Sequence, residues 1–370
     1  VDPRQGFETC GITEFAKGFH ILARVTGDTA WADRTEDIML NHFPAASTPD
    51  LKGLHYLTAS NQPQLDASEQ HEYQNKGRMI NYSPHDYRCC QHNVAMGWPY
   101  YAENLWQASA DDGLVAWLYA ASSVTARVGQ SGANVTIDEE TNYPFSGRVT
   151  LKVTQAAGEP FPLYLRVPGW CTGFAVQVNG EVNHLPGIED LSRVHDPTGL
   201  MVRIERAWQT GDILTLDMGM QITLSEWPRT GSVSVNRGPL TYSLKIGEQW
   251  RRCGGTDQWP EWEVLPTSPW NYGLLVDRDH PQASLRLGRV DDIVADQPWT
   301  LDAAPVEIKA HGKRIPHWSL QNETVELLQP SPAKSGEPQE ELTLIPLGCA
   351  RLRIACFPTI GEGPLGWEWK

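Results

Sequence analysis

The sequence predicts an α + β multidomain fold in which a helical N-terminal part precedes two β-rich domains. Three observations lead there. At 370 residues with 40% hydrophobic content, the chain exceeds one ordinary domain and can fill two or three cores. Near the N-terminus, apolar residues recur at steps of three and four, the period of an amphipathic helix. From Leu114 onward the texture changes to short β-branched or aromatic runs separated by Gly, Pro, Asn and Asp, which is the punctuation of strands.

The elements follow in order. Ile12, Phe15, Phe19, Leu22 and Val25 mark a helix over residues 9–25. A second helix, capped by Asp28 or Thr29, runs through Trp31, Ile38 and Met39 and is expected to end before Pro44. Residues 44–88 are rich in Pro, Asn, Gln, Ser and Tyr and lack periodicity, so they read as a long, mostly irregular excursion of the functional kind. Val94, Trp98, Tyr101 and Leu105 share one helical face, with Pro99 predicting a kink and Asp111-Asp112-Gly113 the stop. Strands are expected at residues 114–120, 122–128, 148–153, 162–167, 174–178, 201–204 and 213–216, together an all-β sandwich. Asn179-Gly180 signals a tight hairpin. Past Gly247, a Trp-rich segment leads to a second β domain whose last strands are expected at 342–347 and 350–357, after an exposed loop at 331–340.

Composition narrows the function. A net charge of −15 without a local Lys/Arg cluster argues against a nucleic-acid partner. No run of about 18 apolar residues is present, so no membrane-spanning helix is expected. The start Val1-Asp2-Pro3-Arg4 has neither an initiator Met nor a signal-peptide pattern, the expectation for a piece of a longer or processed polypeptide. Seven cysteines, an odd number spread thinly, fit reduced thiols and metal ligation better than a disulfide framework; they point to the cytoplasm, with the periplasm as the alternative. Fifteen tryptophans offer aromatic faces of the kind that sugar rings pack against, although most tryptophans in any protein are core.

Chemistry concentrates in Glu8, Cys10, Cys89 and Cys90. These four soft or borderline donors could close around one zinc ion, which accepts thiolate sulfur and carboxylate oxygen in tetrahedral sites. Neighbours on a strand face opposite ways, so Cys89-Cys90 are expected at an irregular turn leading into the Val94 helix, where the helix dipole favours a thiolate. Glu8 and Cys10 can point the same way from an extended segment. The plainer reading makes cysteines small buried hydrophobes, and Cys171, Cys253, Cys349 and Cys356 are read so. A vicinal disulfide or redox pair is the other alternative for Cys89-Cys90. His55, His71, His85 and His92, in or beside the long excursion, could ligate metal or bind substrate, and Glu72, Asp86 and Glu103 could supply a pair of carboxylates.

These features, with Leu114-Val115-Ala116-Trp117-Leu118-Tyr119, Glu140-Thr141-Asn142-Tyr143-Pro144, Leu165-Arg166-Val167-Pro168-Gly169-Trp170, Asn236-Arg237-Gly238-Pro239 and Ser268-Pro269-Trp270-Asn271-Tyr272, resemble glycoside hydrolase family 127, the β-L-arabinofuranosidase family. The resemblance implies the C-terminal part of an (α/α)6 helical barrel over residues 1–113, followed by jelly-roll-like β-sandwich domains over 114–246 and 247–370. It further implies a retaining glycosidase in which Cys89 is the nucleophile. Zinc would be held by Glu8, Cys10, Cys89 and Cys90, and Tyr56 would contact the sugar. The implied substrate is an oligo- or polysaccharide releasing β-L-arabinofuranose or a related plant cell-wall sugar. The family's acid/base glutamate precedes the Glu-x-Cys motif and is expected upstream of this chain. Gln91-His92-Asn93 replaces the prolines often found after the vicinal pair, a departure that bears on the sugar subsite. A carbohydrate-binding protein with a purely structural zinc is the rival expectation.

Overall fold

The computed structural model describes residues 2–71, 78–182 and 200–363. They form two compact units, one from Val1–Glu14, Ile38–Met96 and Ile222–Lys370, the other from Phe15–Asp37 and Gly97–Gln221, with boundaries that fall inside two helices. Strands dominate both.

The chain opens with strand β1 (Phe7–Glu8) and helix α1 (Thr9–Thr26), the latter on the span that the apolar periodicity predicts. Helix α2 (Ala30–Asp37) starts where Asp28 Oδ1 accepts the Ala30 amide at 2.9 Å. It does not stop before Pro44: a π-helical turn, Ile38–His42, carries it into α3 (Phe43–Ala45). Pro44 fits because the first turn of a helix has no use for its missing N–H. Among its described residues the excursion contains only β2 (Leu57–Thr58) and β3 (Asn61–Gln62) before α4 (Arg88–Ala102). Leu105 therefore lies past the helix. The vicinal cysteines, expected in an irregular turn, sit instead inside the first turn of α4, where adjacent residues are about 100° apart around the axis and can both lean toward one point. Helices α1, α2 and α4 are the only ones of eight residues or more among the described residues, and these do not make an (α/α)6 barrel.

In the second unit, β4 (Trp106–Ala108), β5 (Leu114–Ala116), β6 (Ser122–Val128), β7 (Ala133–Thr141), β8 (Arg148–Gln155), β9 (Pro160–Val167), β10 (Phe174–Val178), β11 (Glu181–Val182), β12 (Leu200–Ala207) and β13 (Ile213–Met218) form two sheets. One has the order β11-β10-β13-β8-β7-β6, the other β12-β9-β5-β4. Inward residues alternate along them, as with Val149, Leu151 and Val153 of β8, all but fully buried, which is the pattern a β-sandwich requires. Strand β7 was not expected, and β5 ends at Ala116 rather than residue 120. Asn179 and Gly180 connect β10 to β11 with φ of 54° and 82°, the two positive values a type I′ hairpin turn demands. Arg166 of β9 is wholly buried and forks onto Asp33 (2.6 Å) and Glu36 (2.5 Å) of α2, with its Nε on the Trp117 carbonyl. Burial nonetheless pushes Glu36 up to about 7 against the pull of Arg166.

The first unit's main sheet takes β14 (Ile222–Trp227), β15 (Ser232–Arg237) and β16 (Leu240–Leu244). A hairpin, β17 (Glu248–Gly255) and β18 (Pro260–Pro266), projects before β19 (Tyr272–Leu274), β20 (Arg286–Val290), β21 (Val306–Arg314), the short pair β22 (Leu320–Gln321) and β23 (Thr324–Val325), β24 (Gln339–Pro346) and β25 (Arg353–Ile354). The sheet order is β14-β15-β16-β24-β21-β19, with β20 beside β21. Residues 350–357 were expected as one strand but give only β25, which pairs with β3 through Arg353↔Gln62 and Ile354↔Asn61. Strand β18 bridges Leu65 and Tyr82. The irregular excursion is thus held on both flanks by this unit's β framework.

Candidate metal and nucleophile site

The site is assembled by short backbone ladders. Strand β1 pairs with β2, Glu8 opposite Leu57, and the Thr9 amide reaches the Tyr56 carbonyl at 2.9 Å while Thr9 Oγ1 donates to the His55 carbonyl at 2.7 Å. This fixes the start of α1, hence Cys10, beside Tyr56. On the other edge, the amides of Tyr56 and Leu57 both donate to the Met79 carbonyl (2.9 and 3.0 Å), and Leu54 and Ser83 exchange backbone bonds of 3.1 and 2.9 Å. Ser83 Oγ then accepts the amides of His85 and Asp86, both at 3.2 Å, turning the chain into α4.

The outcome is that Cys10, Cys89 and Cys90, from the first turns of two helices, bring their sulfur atoms within 4.8 Å of one another. It is the one such group of three metal-capable side chains among the described residues. Cys10 and Cys90 are buried whereas Cys89 is exposed. Glu8 joins them: Cys10 Sγ donates to Glu8 Oε2 at 3.1 Å, and the Tyr56 hydroxyl donates to Glu8 Oε1. Leu54, Tyr87, Tyr56 and Val94 pack around the buried pair.

Electrostatics explain what such a cluster needs. Burial, followed by the Glu8 and Cys90 contacts, drives the Cys10 thiol well above the ordinary range, and burial pushes Cys90 up to about 11. The Tyr56 hydroxyl first, then Cys10, holds Glu8 below the usual glutamate value, and in return the Glu8 carboxylate raises Tyr56. The two buried thiols, Cys10 and Cys90, resist joint ionisation unless a cation compensates them. The donor set fits zinc: a tetrahedral site with Zn–S of about 2.3 Å puts sulfurs about 3.8 Å apart, compatible with three sulfurs within 4.8 Å of one another, and the Glu8 carboxylate beside Cys10 could supply a fourth donor. Tyr56 then has the outer role of a hydrogen-bond donor orienting a ligating carboxylate.

The histidines do not join this group. His55 is buried, stacks on Tyr82 at 5.0 Å and is held far below its ordinary pKa by burial. His71 is buried between Asp66 (2.7 Å) and Thr324 (3.3 Å). His85 and His92 are exposed. Of the carboxylates considered for a two-carboxylate pair, Glu72 lies outside the described residues, while Asp86 and Glu103 are exposed. All seven cysteines are free thiols; Cys349 and Cys356 are buried as expected, but Cys171 and Cys253 are only half-buried. The residue missed is Tyr87, a buried aromatic in a polar stretch two positions before Cys89. Its signal was that a large ring has no evident use at the surface of a helix start.

Fold and site together define a strand-rich protein with a cysteine cluster where two helices begin. Models of the β-L-arabinofuranosidase family GH127 match the chain over its catalytic domain at residues 2–103 and its middle domain at 113–220, together more than half of it. The chain belongs to glycoside hydrolase family 127. Among solved structures it is similar to a protein described as a glycoside hydrolase (19% identity, TM-score 0.67, 98% of this chain and 53% of that one). It is also similar to Ara127N-Se, a GH127 β-L-arabinofuranosidase from Geobacillus stearothermophilus T6 (20%, TM-score 0.67, 97% and 51%). A third is the GH127 β-arabinofuranosidase BT3674 (18%, TM-score 0.67, 97% and 50%). At these identities the likeness is one of fold, and the chain spans about half the length of each. Comparison with curated proteins gives no significant match.

Proposed function

We propose that this chain carries the nucleophile and zinc site of a retaining glycosidase that releases β-L-arabinofuranose or a related plant cell-wall sugar from an oligo- or polysaccharide. The observation behind the proposal is the asymmetry of the cluster: Cys10 and Cys90 are buried, whereas Cys89, within 4.8 Å of both, faces solvent. Glu8, Cys10, Cys89 and Cys90 would hold the zinc. Bound zinc would supply the positive charge that keeps the thiols ionised at neutral pH.

In this reading Cys89 Sγ attacks the anomeric carbon, forming a carbon–sulfur bond as the glycosidic carbon–oxygen bond breaks. Water then hydrolyses the thioglycosyl link with a second inversion, giving net retention. Proton delivery to the leaving oxygen is assigned to none of the chain's carboxylates. In this reading Tyr56, which donates to Glu8, also contacts the sugar. Residues 1–113 are proposed as the last part of an (α/α)6 barrel, with 114–246 and 247–370 as β-sandwich domains. Free thiols favour the cytoplasm. No helix among the described residues is long and apolar enough to cross a membrane.

The rival reading, a glycan-binding protein with a closed four-ligand structural zinc, is separated by chemistry at Cys89. An arabinofuranosyl electrophile should modify Cys89 and leave Cys10 and Cys90 untouched, as read by peptide mapping. Cys89→Ser should fold, bind less zinc and lose hydrolysis of an aryl β-L-arabinofuranoside. Full activity in that variant sinks the proposal.

A further inference from the structure

The cysteine pair requires an orientation that its own side chains cannot set. Residues 89 and 90 are neighbours at a helix start, so a modest rotation of the first turn of α4 would expose Cys90 or bury Cys89. Both must also keep their sulfur atoms near Cys10, on a different helix. Something outside the cluster has to fix that turn.

Resting on the function proposed above, we propose that Tyr87 is the positioning residue of the Cys89–Cys90 pair. Its backbone begins the helix: the Gln91 amide donates to the Tyr87 carbonyl at 2.9 Å, making Tyr87 the residue from which α4 departs. Its side chain points back into the preceding loop, where the hydroxyl donates to the Arg78 carbonyl at 2.5 Å. Asn81 Oδ1 lies 3.0 Å from the same hydroxyl, and Asn81 Nδ2 is buried without a partner. One hydroxyl proton cannot serve two acceptors. Turning the Asn81 amide over resolves both facts, because Nδ2 then donates to the Tyr87 oxygen while its proton goes to Arg78.

The ring completes the link. Tyr87 is 6% exposed, packs in one cluster with Cys10, Cys90 and Leu54, and stands 5.8 Å from the ring of Tyr56, which holds Glu8. Tyr87 therefore shares one packed cluster with the buried cysteines of both helices and neighbours the tyrosine that donates to Glu8. The anchor is firm. Residues 79–83 pair with residues 54–57 on one edge, and on the other Tyr82 and Trp262 exchange backbone bonds of 2.8 and 2.9 Å. Arg78 also meets Glu261 of β18 at 3.4 Å.

The test compares Tyr87→Phe, which keeps the ring and frees the hydroxyl, with Tyr82→Phe. The latter is a matched control: Tyr82 is a buried tyrosine of the same segment whose hydroxyl donates to the Ala45 carbonyl at 2.8 Å. Each protein is loaded with cobalt(II) in place of zinc, and the alkylation rate of Cys89 is followed by peptide mapping with iodoacetamide. Tyr87→Phe should keep one metal per chain but shift the thiolate-to-cobalt absorption and change the Cys89 rate by roughly tenfold. In an active form of the enzyme, kcat should fall by a similar factor with little change in KM. Tyr82→Phe should lose stability alone. Unchanged cobalt spectrum and alkylation rate in Tyr87→Phe, or identical changes in Tyr82→Phe, overturn the positioning role. If the unsubstituted protein binds neither metal, the functional reading fails instead, and the alkylation comparison still decides the role of Tyr87.

Discussion

The excursion over residues 44–87 and the β region from β5 to β13 keep their shape by opposite means. In the β region, hydrogen bonds are repeated ladder bonds and the interior is a set of interchangeable aliphatic side chains such as Val135, Ile137, Leu151 and Leu214. In the excursion the ladders are two residues long, and the backbone is completed by individual polar side chains. Asn61, 1% exposed, donates to the Cys356 carbonyl and accepts the amides of Ala355 and Cys356, all at 2.9–3.0 Å. Arg351, 2% exposed, spends its guanidinium on the carbonyls of Ser47, Pro44 and Trp299. A regular sheet spreads its stability over many replaceable contacts. An irregular segment concentrates it in a few irreplaceable ones, and gains the freedom to bring Glu8, Cys10, Cys89 and Cys90 to one point.

That contrast yields its largest expected effect in a pair of shape-conserving substitutions. Asn61→Leu removes the side-chain partner of the Cys356 amide and carbonyl and leaves the Ala355 amide only the Ser60 carbonyl at 3.2 Å, and should cost about 2–4 kcal/mol. Leu151→Met in β8 keeps volume and polarity and should cost less than about 1.5 kcal/mol. Urea unfolding of the two variants measures both. Equal costs would show that the excursion is not held the way its hydrogen bonds suggest.

The same difference governs what could be read from the sequence. Strands β6 and β10 and the turn at Asn179-Gly180 are legible because alternation and a positive-φ dipeptide are local properties. Strand β7 was missed because its inward face, Val135, Ile137 and Glu139, ends in a carboxylate amid Asp138 and Glu140. The site's ligand types were legible from residue chemistry, and so was their grouping as a proposal. Their backbone setting was not: the N–H groups of a helix's first turn have no intrahelical acceptors, so Arg88-Cys89-Cys90 reads equally well as a turn. Neither Asn61, bonded 295 residues away, nor Tyr87 carries a local signature of its contacts.

Glu139 is the exception inside the regular region, and it sharpens the comparison by pH. It is 3% exposed, accepts the Ala120 amide and the Ser122 hydroxyl at 3.2 Å each, and burial pushes it up to about 8. Because its folded-state pKa lies above the unfolded value of about 4.5, the folded chain binds this proton more tightly. Its favourable contribution is complete below about pH 4.5 and is lost as pH rises through about 8. Glu139→Gln, permanently neutral, should match the parent at low pH and exceed it by a margin that grows as pH rises from about 4.5 to about 8. A parallel pH dependence of thermal melting in the two proteins would show that the ladder around Glu139 tolerates the charge.

The smallest effect belongs to the turn that the sequence announces most clearly. Gly180 has φ of 82°, which a Cβ resists, yet nothing lies within 4 Å of where that Cβ would stand. Gly180→Ala should therefore cost only the backbone strain, about 1 kcal/mol, with the β10–β13 ladder intact. Asn179 limits the damage: its side chain donates to Asp212 at 2.8 Å and accepts the Ile213 amide at 2.9 Å, so the hairpin stays tied to β13 when the turn is strained. A loss above about 2 kcal/mol in Gly180→Ala would mean that this region too depends on single residues, and the distinction from the excursion would fall.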